Sequence, residues 1–318
     1  MVSRVKEYLA EDWMQFEQLF AQRLASRIPI LNKVNAYLME RSGKQLRPML
    51  CLLAARLCTG HCSPGSIGSA AASELIHTAT LLHDDVADEA DTRRGQPTVS
   101  ALISPRASVL VGDYWLSRGV MAIIEDCSKD TFGDFAMCLN DLAEGEMFQI
   151  EKAAALDTDY DDYIYIISRK TASLFRAAVK TGAREAGASH EQIVALDSFA
   201  HHLGLAFQMR DDIFDYSPSL SLGKPTGVDI RERKITLPLL GAFEKAGADA
   251  RGRIVADIEA ERYDVVLPFV QQWGGIGYAQ GVLEKETALA VAALESFPDT
   301  PACQLLSDLA RSLCLRQA

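Results

Sequence analysis

The chain has 318 residues, of which 48% are hydrophobic, so it can bury a large core. Its net charge of -11 at pH 7 argues against a nucleic-acid surface, because phosphate backbones recruit Lys and Arg rather than carboxylates. The most apolar region, Met49 to Cys58, is interrupted by Arg56 and is shorter than the roughly 20 residues that a membrane span needs. We therefore expect no nucleic-acid partner and no membrane span.

Seven cysteines are present, and none of them forms a C-x-x-C pair. Zinc sites and complete disulfide frameworks usually show such pairs or an even cysteine count. The cysteine pattern therefore predicts a reducing compartment, the cytoplasm, and the lack of a long apolar run predicts a soluble protein.

Apolar residues recur at three- and four-residue spacing along almost the whole chain, beginning with Val5, Leu9, Trp13, Phe16 and Phe20. This spacing is typical of amphipathic helices. Gly, Pro and Ser clusters predict breaks at 59–60, 63–65, 95–97, 128–133, 187–189, 217–227 and 297–301. No break is long enough to be an interdomain linker, so we predict one all-α domain over residues 1–318, a bundle of roughly ten or more helices.

One segment has local strand propensity, Tyr163 to Ile167. Asp159 to Asp162 precede it and resemble the acidic first turn of a helix, and helical spacing continues after it. We therefore predict a helix here, against the local propensity.

The first acidic motif contains Asp84, Asp85 and Asp88 and follows an apolar helical stretch. Asp84 and Asp88 are four residues apart, so on a helix their carboxylates share one face. An isolated motif of this kind is usually a solvated acidic helix end. Here the pattern recurs at Asp211, Asp212 and Asp215, which makes a binding function the better interpretation.

Hard oxygen ligands in such pairs suit Mg²⁺, which binds a few carboxylates and completes its shell with water and substrate phosphates. Basic residues lie near both motifs in the sequence: Arg93 and Arg94 follow the first, and Lys224 and Lys234 follow the second. A diphosphate held through metal by two facing acidic helices is therefore the expected ligand.

The sequence resembles the trans-isoprenyl diphosphate synthase family over nearly its whole length. The matching stretches are Gly43 to Pro48, Glu74 to Gly95, Glu144-Gly145-Glu146, Lys170-Thr171-Ala172, Gly204 to Tyr216, Gly223-Lys224-Pro225 with Asp229 and Lys234, and Gly274 to Ala279. The resemblance implies an isoprenoid-synthase-type helical bundle with a central substrate cavity. It also implies a Mg²⁺-dependent prenyltransferase that joins isopentenyl diphosphate to an allylic diphosphate.

The resemblance also implies roles for individual residues. Asp84, Asp88 and Asp211 would bind Mg²⁺ directly, while Asp85, Asp212 and Asp215 would orient waters or ligands around it. The allylic diphosphate would contact Arg93, Lys170, Thr171, Gln208, Lys224 and Lys234, and isopentenyl diphosphate would contact Lys44, Arg47, His77 and Arg94. We take Asp84, Asp88, Asp211, Lys170 and Lys224 as the catalytic set. Arg210 occupies a variable motif position, and the sequence assigns it no role.

Two other classes of protein compete with this interpretation. A type I terpene cyclase usually replaces the second acidic motif and has no second diphosphate pocket, and a non-catalytic partner subunit would be expected to have lost motif acids. Both motifs keep all their acids here. We therefore favour the synthase.

Product length is predicted from Ala79 and Thr80, which lie five and four residues before Asp84. Short-chain members of the family commonly carry a bulky aromatic there, which closes the tunnel for the growing chain. The small residues favour a medium- or long-chain polyprenyl product. The alternative is a farnesyl or geranylgeranyl diphosphate synthase, with a deeper plug such as Phe135 or Leu139. The resemblance also implies a homodimer, for which the apolar stretch Val109 to Val120 is a candidate interface.

Overall fold

The computed structural model describes residues 1–217 and 227–314, and these residues are almost entirely helical. The helices are α1 Val2–Leu24, α2 Pro29–Glu40, α3 Leu46–Thr59, α4 Pro64–Ala87, α5 Val99–Leu102, α6 Pro105–Asp126, α7 Lys129–Ala155, α8 Tyr160–Ile167, α9 Ser173–Glu185, α10 His190–Asp215, α11 Val228–Arg231, α12 Leu237–Ala246, α13 Ala248–Glu259, α14 Val266–Gln272, α15 Gly275–Ala292 and α16 Pro301–Cys314. A π-helical turn spans Ser168–Ala172, a 3₁₀ turn spans Tyr263–Val265, and a hairpin pairs β1 Thr92–Arg93 with β2 Gln96–Pro97. The predicted all-α fold is confirmed.

The chain divides into two compact units. The first unit comprises Met1–Ala136, Ala177–Val194 and Asp299–Leu306, and the second comprises Met137–Arg176, Ala195–Pro298 and Ser307–Ala318. The single domain expected over residues 1–318 stays a prediction.

The segment with strand propensity is helical, as predicted. Asp159 accepts a hydrogen bond from the Asp162 backbone N–H at 2.8 Å, and the Asp162 side chain accepts one from the Asp159 N–H at 3.1 Å. This reciprocal capping satisfies two backbone donors at the start of α8. Local capping therefore outweighs the strand propensity of the residues that follow.

The predicted break at 128–133 is wrong in extent, because α7 begins at Lys129. Glu185 of the first unit accepts hydrogen bonds at Oε1 from the Ser128 backbone N–H at 2.9 Å and from Thr131 Oγ1 at 2.5 Å. These contacts close the start of the helix, and Gly133 is tolerated within it. The predicted break at 217–227 lies almost wholly outside the described residues.

Helix α4 carries the first acidic motif and packs closely against α6 in the first unit. A Cβ atom at Gly119 of α6 would lie 3.0 Å from Ile76 Cγ1 and 3.4 Å from Leu75 Cβ of α4. At Gly112 a Cβ would lie 2.3 Å from His83 Nε2. The two glycines thus let the backbone of α6 approach α4, which fixes the helix that ends in the acidic motif.

Among the described residues, α6 is the one helix whose length and composition would allow it to cross a membrane. Of the apolar 18-residue window in this helix, 39% is buried within the structure. Its C-terminal end is tied to α1 by Arg23, whose Nη2 lies 2.6 Å from Asp126 Oδ2. We interpret α6 as a packed helix of the first unit, and the absence of a membrane span stays a prediction.

The contact between α9 and α3 in the first unit predicts that alanine at Gly182 and alanine at Gly133 have opposite effects on the free energy of unfolding. A Cβ at Gly182 would lie 2.3 Å from the Cys51 carbonyl oxygen, whereas a Cβ at Gly133 meets no atom within 4 Å. We expect Gly182→Ala to lower the free energy of unfolding by about 1–3 kcal/mol, because the backbone of α3 must move. The control Gly133→Ala should raise it by up to about 1 kcal/mol. Urea unfolding followed by circular dichroism measures both, and an unchanged Gly182→Ala would contradict the packing.

Candidate active site

The first acidic motif lies at the C-terminal end of α4. The Asp88 N–H donates to the Asp84 carbonyl oxygen at 2.8 Å, so the helical turn continues through Asp88. The carboxylates of Asp84 and Asp88 therefore lie one turn apart, as the spacing predicts. Asp84 is half-buried and Asp88 is exposed.

Asp85 is the buried member of this motif, with 4% of its surface exposed. Its Oδ1 accepts a hydrogen bond from Arg93 Nε at 2.6 Å. The hairpin of β1 and β2 reverses the chain after α4 and returns Arg93 to the helix. Arg93, which was expected to contact the allylic diphosphate, here neutralises a buried acid of the motif.

A group of basic residues surrounds His77 in the first unit. A Cβ at Gly43 would lie 2.1 Å from Arg94 Nη1, so the absence of a side chain at Gly43 makes room for this guanidinium. Burial, together with the charges of Arg47, Arg94 and Arg93, holds the pKa of His77 well below its usual range. His77 is therefore neutral at pH 7. The structure thus brings His77, Arg47 and Arg94 close to one another, and their contact with isopentenyl diphosphate stays a prediction.

Glu74 lies one turn before His77 on α4 and is 5% exposed. Burial raises its pKa to about 7, although the charges of Arg47 and Arg94 act in the opposite direction. Among the described residues, its Oε2 atom has no hydrogen-bond partner. Sequence reasoning assigned no role to this carboxyl group.

Lys44, the fourth residue predicted to contact isopentenyl diphosphate, is exposed just before α3.

The second acidic motif lies at the C-terminal end of α10. The Asp211 side chain is 46% exposed, whereas Asp212 is 4% exposed. Asp212 accepts hydrogen bonds from Tyr163 Oη at 2.7 Å and from Gln208 Nε2 at 2.8 Å. Burial raises the pKa of Asp212, and the two hydrogen bonds oppose that effect.

Asp215 anchors the backbone of the next helix. Its two carboxylate oxygens accept hydrogen bonds from the N–H groups of Val228 and Asp229 at 3.0 and 3.1 Å. These are donors at the start of α11, which has no earlier helical turn to satisfy them. Both carboxylate oxygens of Asp215 thus hold the start of α11, and the role of Asp215 around a metal stays a prediction.

Lys224, predicted to contact the allylic diphosphate, lies outside the described residues.

The π-helical turn carries Lys170 and Thr171 in the second unit. A Cβ at Gly204 of α10 would lie 2.5 Å from Ala172 Cα, and a Cβ at Gly145 of α7 would lie 2.9 Å from Arg169 Cβ. A π turn inside an α-helix changes the direction of its side chains and is frequent at functional sites. The two glycines therefore accommodate the wider turn. Sequence reasoning matched both glycines to the family without a reason for them.

Lys170 and Thr171, the two side chains of this turn that are predicted to bind substrate, both have defined partners. Lys170 Nζ donates to Gln149 Oε1 at 2.8 Å and lies 2.5 Å from Glu146 Oε2, both on α7. Thr171 Oγ1 donates to Gln208 Oε1 at 2.7 Å.

The second unit contains a cleft with about 580 Å³ of empty space, including its open mouth. The side chains of the π-helical turn and of the second acidic motif contribute to its lining. Five residues predicted from the sequence line it: Lys170, Thr171, Gln208, Asp212 and Lys234. Tyr163 and Asp229 line it too. Burial and the nearby charges of Asp212 and Asp215 raise the pKa of Asp229, while Lys234 lowers it. No sequence signal pointed to Tyr163, because its spacing is that of an ordinary buried helix residue.

Arg210 gains a structural role in the second unit. Its Nη1 donates to the Leu313 carbonyl oxygen, and its Nη2 donates to Asp211 Oδ1 at 3.2 Å. The guanidinium lies 5.3 Å from the Phe207 ring centre and 5.1 Å from that of Phe214. The Leu313 carbonyl lies in the last turn of α16, where helix acceptors lack an internal partner. Arg210 thus joins the second motif to α16.

The acids fit a hard divalent cation in type and spacing. Every candidate ligand is a carboxylate, and each motif ends a long helix. Across residues 1–217 and 227–314, no group of three or more His, Cys, Asp or Glu side chains forms a ready-made metal site. Mg²⁺ does not require such a cage, because it keeps several waters and binds through one or two carboxylates plus substrate phosphates.

The two acidic helix ends and the cleft lined by Lys170 and Lys234 fit an enzyme whose ligand is a diphosphate held with a divalent cation. The family model for polyprenyl synthetase matches residues 28–266. The chain therefore belongs to the polyprenyl synthetase family, as the sequence predicted, and the predicted prenyltransferase class is confirmed.

Individual relatives extend this likeness over nearly the whole chain. The all-trans-nonaprenyl-diphosphate synthase (geranyl-diphosphate specific) of Rhodobacter capsulatus is 36% identical over 307 residues, which cover 95% of this chain and 94% of the relative. A decaprenyl diphosphate synthase structure from Rhodobacter capsulatus has a TM-score of 0.93 and 37% identity, with complete coverage of both chains.

A polyprenyl synthase structure from Caulobacter crescentus, complexed with calcium and isoprenyl diphosphate, has a TM-score of 0.92 and 33% identity, covering 100% of this chain and 98% of that one. That relative thus binds a divalent cation. Solved geranylgeranyl pyrophosphate synthases match at 27–30% identity.

Proposed function

We propose that this protein is an all-trans polyprenyl diphosphate synthase that joins isopentenyl diphosphate to an allylic diphosphate and forms a medium- or long-chain product. The observation that carries this proposal is the cleft of the second unit. It presents the cations of Lys170 and Lys234, the polar groups of Thr171 and Gln208, and the acidic Asp212 to one space. A diphosphate needs this combination of cations, hydrogen-bond partners and metal-binding carboxylates.

The proposed metal is Mg²⁺, which would neutralise the charge of the departing diphosphate. Asp84, Asp88 and Asp211 would be its direct ligands. The exposure of Asp88 and of the Asp211 side chain supports this assignment. Asp85, Asp212 and Asp215, each already hydrogen-bonded within the protein, would orient the surrounding waters and phosphates.

The reaction breaks the bond between C1 of the allylic substrate and its diphosphate oxygen, and the electron pair leaves with the diphosphate. The double bond of isopentenyl diphosphate then attacks C1, and a proton passes to the released diphosphate. Lys170 and Lys234, with Lys224, Arg93, Thr171 and Gln208, would hold the diphosphate as its charge grows. Fixed cations stabilise this transition state more than the bound substrate.

Isopentenyl diphosphate would be held by Lys44, Arg47, Arg94 and neutral His77. The low pKa of His77 supports a role as a hydrogen-bonding group rather than as a cation, since three arginines near it already supply positive charge. Proton removal by the released diphosphate leaves no task for a side-chain base here.

We expect Asp211→Ala to lower turnover by roughly 100-fold or more, because it removes a carboxylate that would bind the metal. The side chain is 46% exposed, so the helix content should not change. Incorporation of labelled isopentenyl diphosphate measures turnover, and EDTA should abolish the activity of the wild type. The matched control is Asp249→Ala, an exposed acid in the first turn of α13. Wild-type turnover by a folded Asp211→Ala protein would refute the metal assignment.

The proposed product length rests on α4, whose one turn of about 5.4 Å is close to the length of one isoprene unit. Ala79 is 1% exposed, and Thr80 is half-buried with its hydroxyl donating to the His77 carbonyl oxygen at 2.8 Å. Neither residue is large enough to block a chain growing along α4. The nonaprenyl and decaprenyl relatives support the same conclusion.

We expect Ala79→Phe to shorten the product while a short allylic primer is still consumed, because the ring would extend from α4 into the path proposed for the tail. Mass spectrometry of the products gives their length. Ala79→Ser is the control and should keep the wild-type length. A thermal melt identifies simple overpacking, which would lower stability without shortening the product. If the wild type and Ala79→Phe both release only a farnesyl- or geranylgeranyl-length product, the long-chain proposal is wrong and the synthase proposal stands.

We also propose that the protein acts in the cytoplasm as a homodimer. All seven cysteines are free thiols, which supports a reducing compartment. The exposed face of α6 carries Leu110, Met121 and Ile124, at 58%, 40% and 60% exposure. These residues share one side of the helix and form an apolar stripe of the kind that protein interfaces cover.

We expect Leu110→Glu combined with Ile124→Glu to shift the protein from dimer to monomer, because two charges would be buried at the interface. Sedimentation velocity measures the mass. Met14→Glu is the control, since Met14 of α1 is 61% exposed and lies on another helix. A dimer that survives the double substitution would exclude this face of α6.

A further inference from the structure

Tyr163 lies outside both acidic motifs, yet it contacts the second one. It belongs to α8 and is 2% exposed. Its Oη donates to Asp212 Oδ2 at 2.7 Å, across 49 residues of sequence. A buried tyrosine usually satisfies its hydroxyl group with a nearby acceptor. Here the acceptor is Asp212, an acid that the sequence predicts to orient ligands around the metal.

This hydrogen bond is one of three that link Thr171, Gln208, Asp212 and Tyr163 in a row. Thr171 Oγ1 donates to Gln208 Oε1 at 2.7 Å, and Gln208 Nε2 donates to Asp212 Oδ1 at 2.8 Å. The direction of the chain is fixed, because a reversed Gln208 amide would point its oxygen at a carboxylate. Each oxygen of Asp212 therefore accepts one hydrogen bond from a neutral donor, and both bonds together set the rotation of the carboxylate.

The chemical type of these donors matters for metal binding. Asp212 lies near the charges of Asp211 and Asp215, which disfavour another anion. A lysine or arginine at this position would relieve the repulsion but would also compete with a divalent cation. The Tyr163 hydroxyl stabilises the anion without adding a charge, and one further lone pair of Asp212 Oδ2 stays available.

We propose that Tyr163 is a positioning residue of the second acidic motif: its hydroxyl orients the carboxylate of Asp212 toward the metal and diphosphate, so that the motif binds a divalent cation with its full affinity. This inference rests on the proposed function. Some residues do not touch the metal but hydrogen-bond to the groups that bind it. Replacing such a residue commonly lowers metal affinity by about 10- to 100-fold. Tyr163 itself transfers no proton and forms no covalent bond.

The test is Tyr163→Phe, which keeps the ring and removes only the hydroxyl. We expect the dissociation constant for Mn²⁺, measured from the free-ion electron paramagnetic resonance signal with inorganic pyrophosphate present, to rise about tenfold. Turnover at low Mg²⁺ should fall and should recover at high Mg²⁺, whereas a purely structural loss would not be rescued by metal. The control is Tyr165→Phe on the same helix, where the side chain is 40% exposed.

A double-mutant cycle with Asp212→Asn separates positioning from other effects. In the Asp212→Asn background, Tyr163→Phe should change the Mn²⁺ dissociation constant by less than about twofold, because the carboxylate that it orients is absent. The same tenfold loss in that background would overturn the inference, as would an unchanged affinity in the single variant. A wild-type protein that binds no Mn²⁺ with pyrophosphate would instead overturn the proposed metal function itself.

Discussion

The like charge of the closely spaced carboxylates within each acidic motif is the constraint on which the contacts around that motif depend. Each motif keeps an acid buried, and each solves the resulting repulsion differently. Asp85 is paired with the guanidinium of Arg93, and Asp212 receives the neutral donors of Tyr163 and Gln208. In both motifs a second acid, Asp88 or Asp211, stays exposed. The buried acids are stabilised by the protein, and the exposed acids can exchange water for ligand.

Three glycines leave room for basic and polar groups that are predicted to bind substrate. Gly43 leaves space for the Arg94 guanidinium, and Gly145 and Gly204 leave space for the π-helical turn that bears Lys170 and Thr171. A methyl group at any of these three positions would meet the functional segment at less than 3.0 Å. At Gly145 and Gly204 the nearby atoms are backbone and Cβ atoms of a packed helix, which has little free volume, so these two small residues fix the place of the π-helical turn.

Arg210 joins helix α16 to the second acidic motif. Its guanidinium contacts both the carbonyl end of α16 and Asp211, and two phenylalanine rings enclose it. A position without an assigned role in the family pattern therefore has a stabilising role in this chain. The arginine also places a fixed positive charge beside a proposed metal ligand, which distinguishes Asp211 electrostatically from Asp212.

The sequence by itself determined the helical class, the family and the one-turn spacing of the acids, because each depends on local periodicity or on short motifs. It also predicted the helix at Tyr163 to Ile167, since the acidic first turn at Asp159 to Asp162 and the helical spacing after the segment are local signals. Only the tertiary structure revealed the Tyr163 hydrogen bond to Asp212, across 49 residues, and the Arg210 contact with Leu313, across 103. The tertiary structure also decided that α7 starts at Lys129. The Glu185 carboxylate that accepts the Ser128 N–H before this helix lies 57 residues away in sequence. Partners at such separations leave no periodic trace in the sequence, and only chain folding brings them within hydrogen-bond distance.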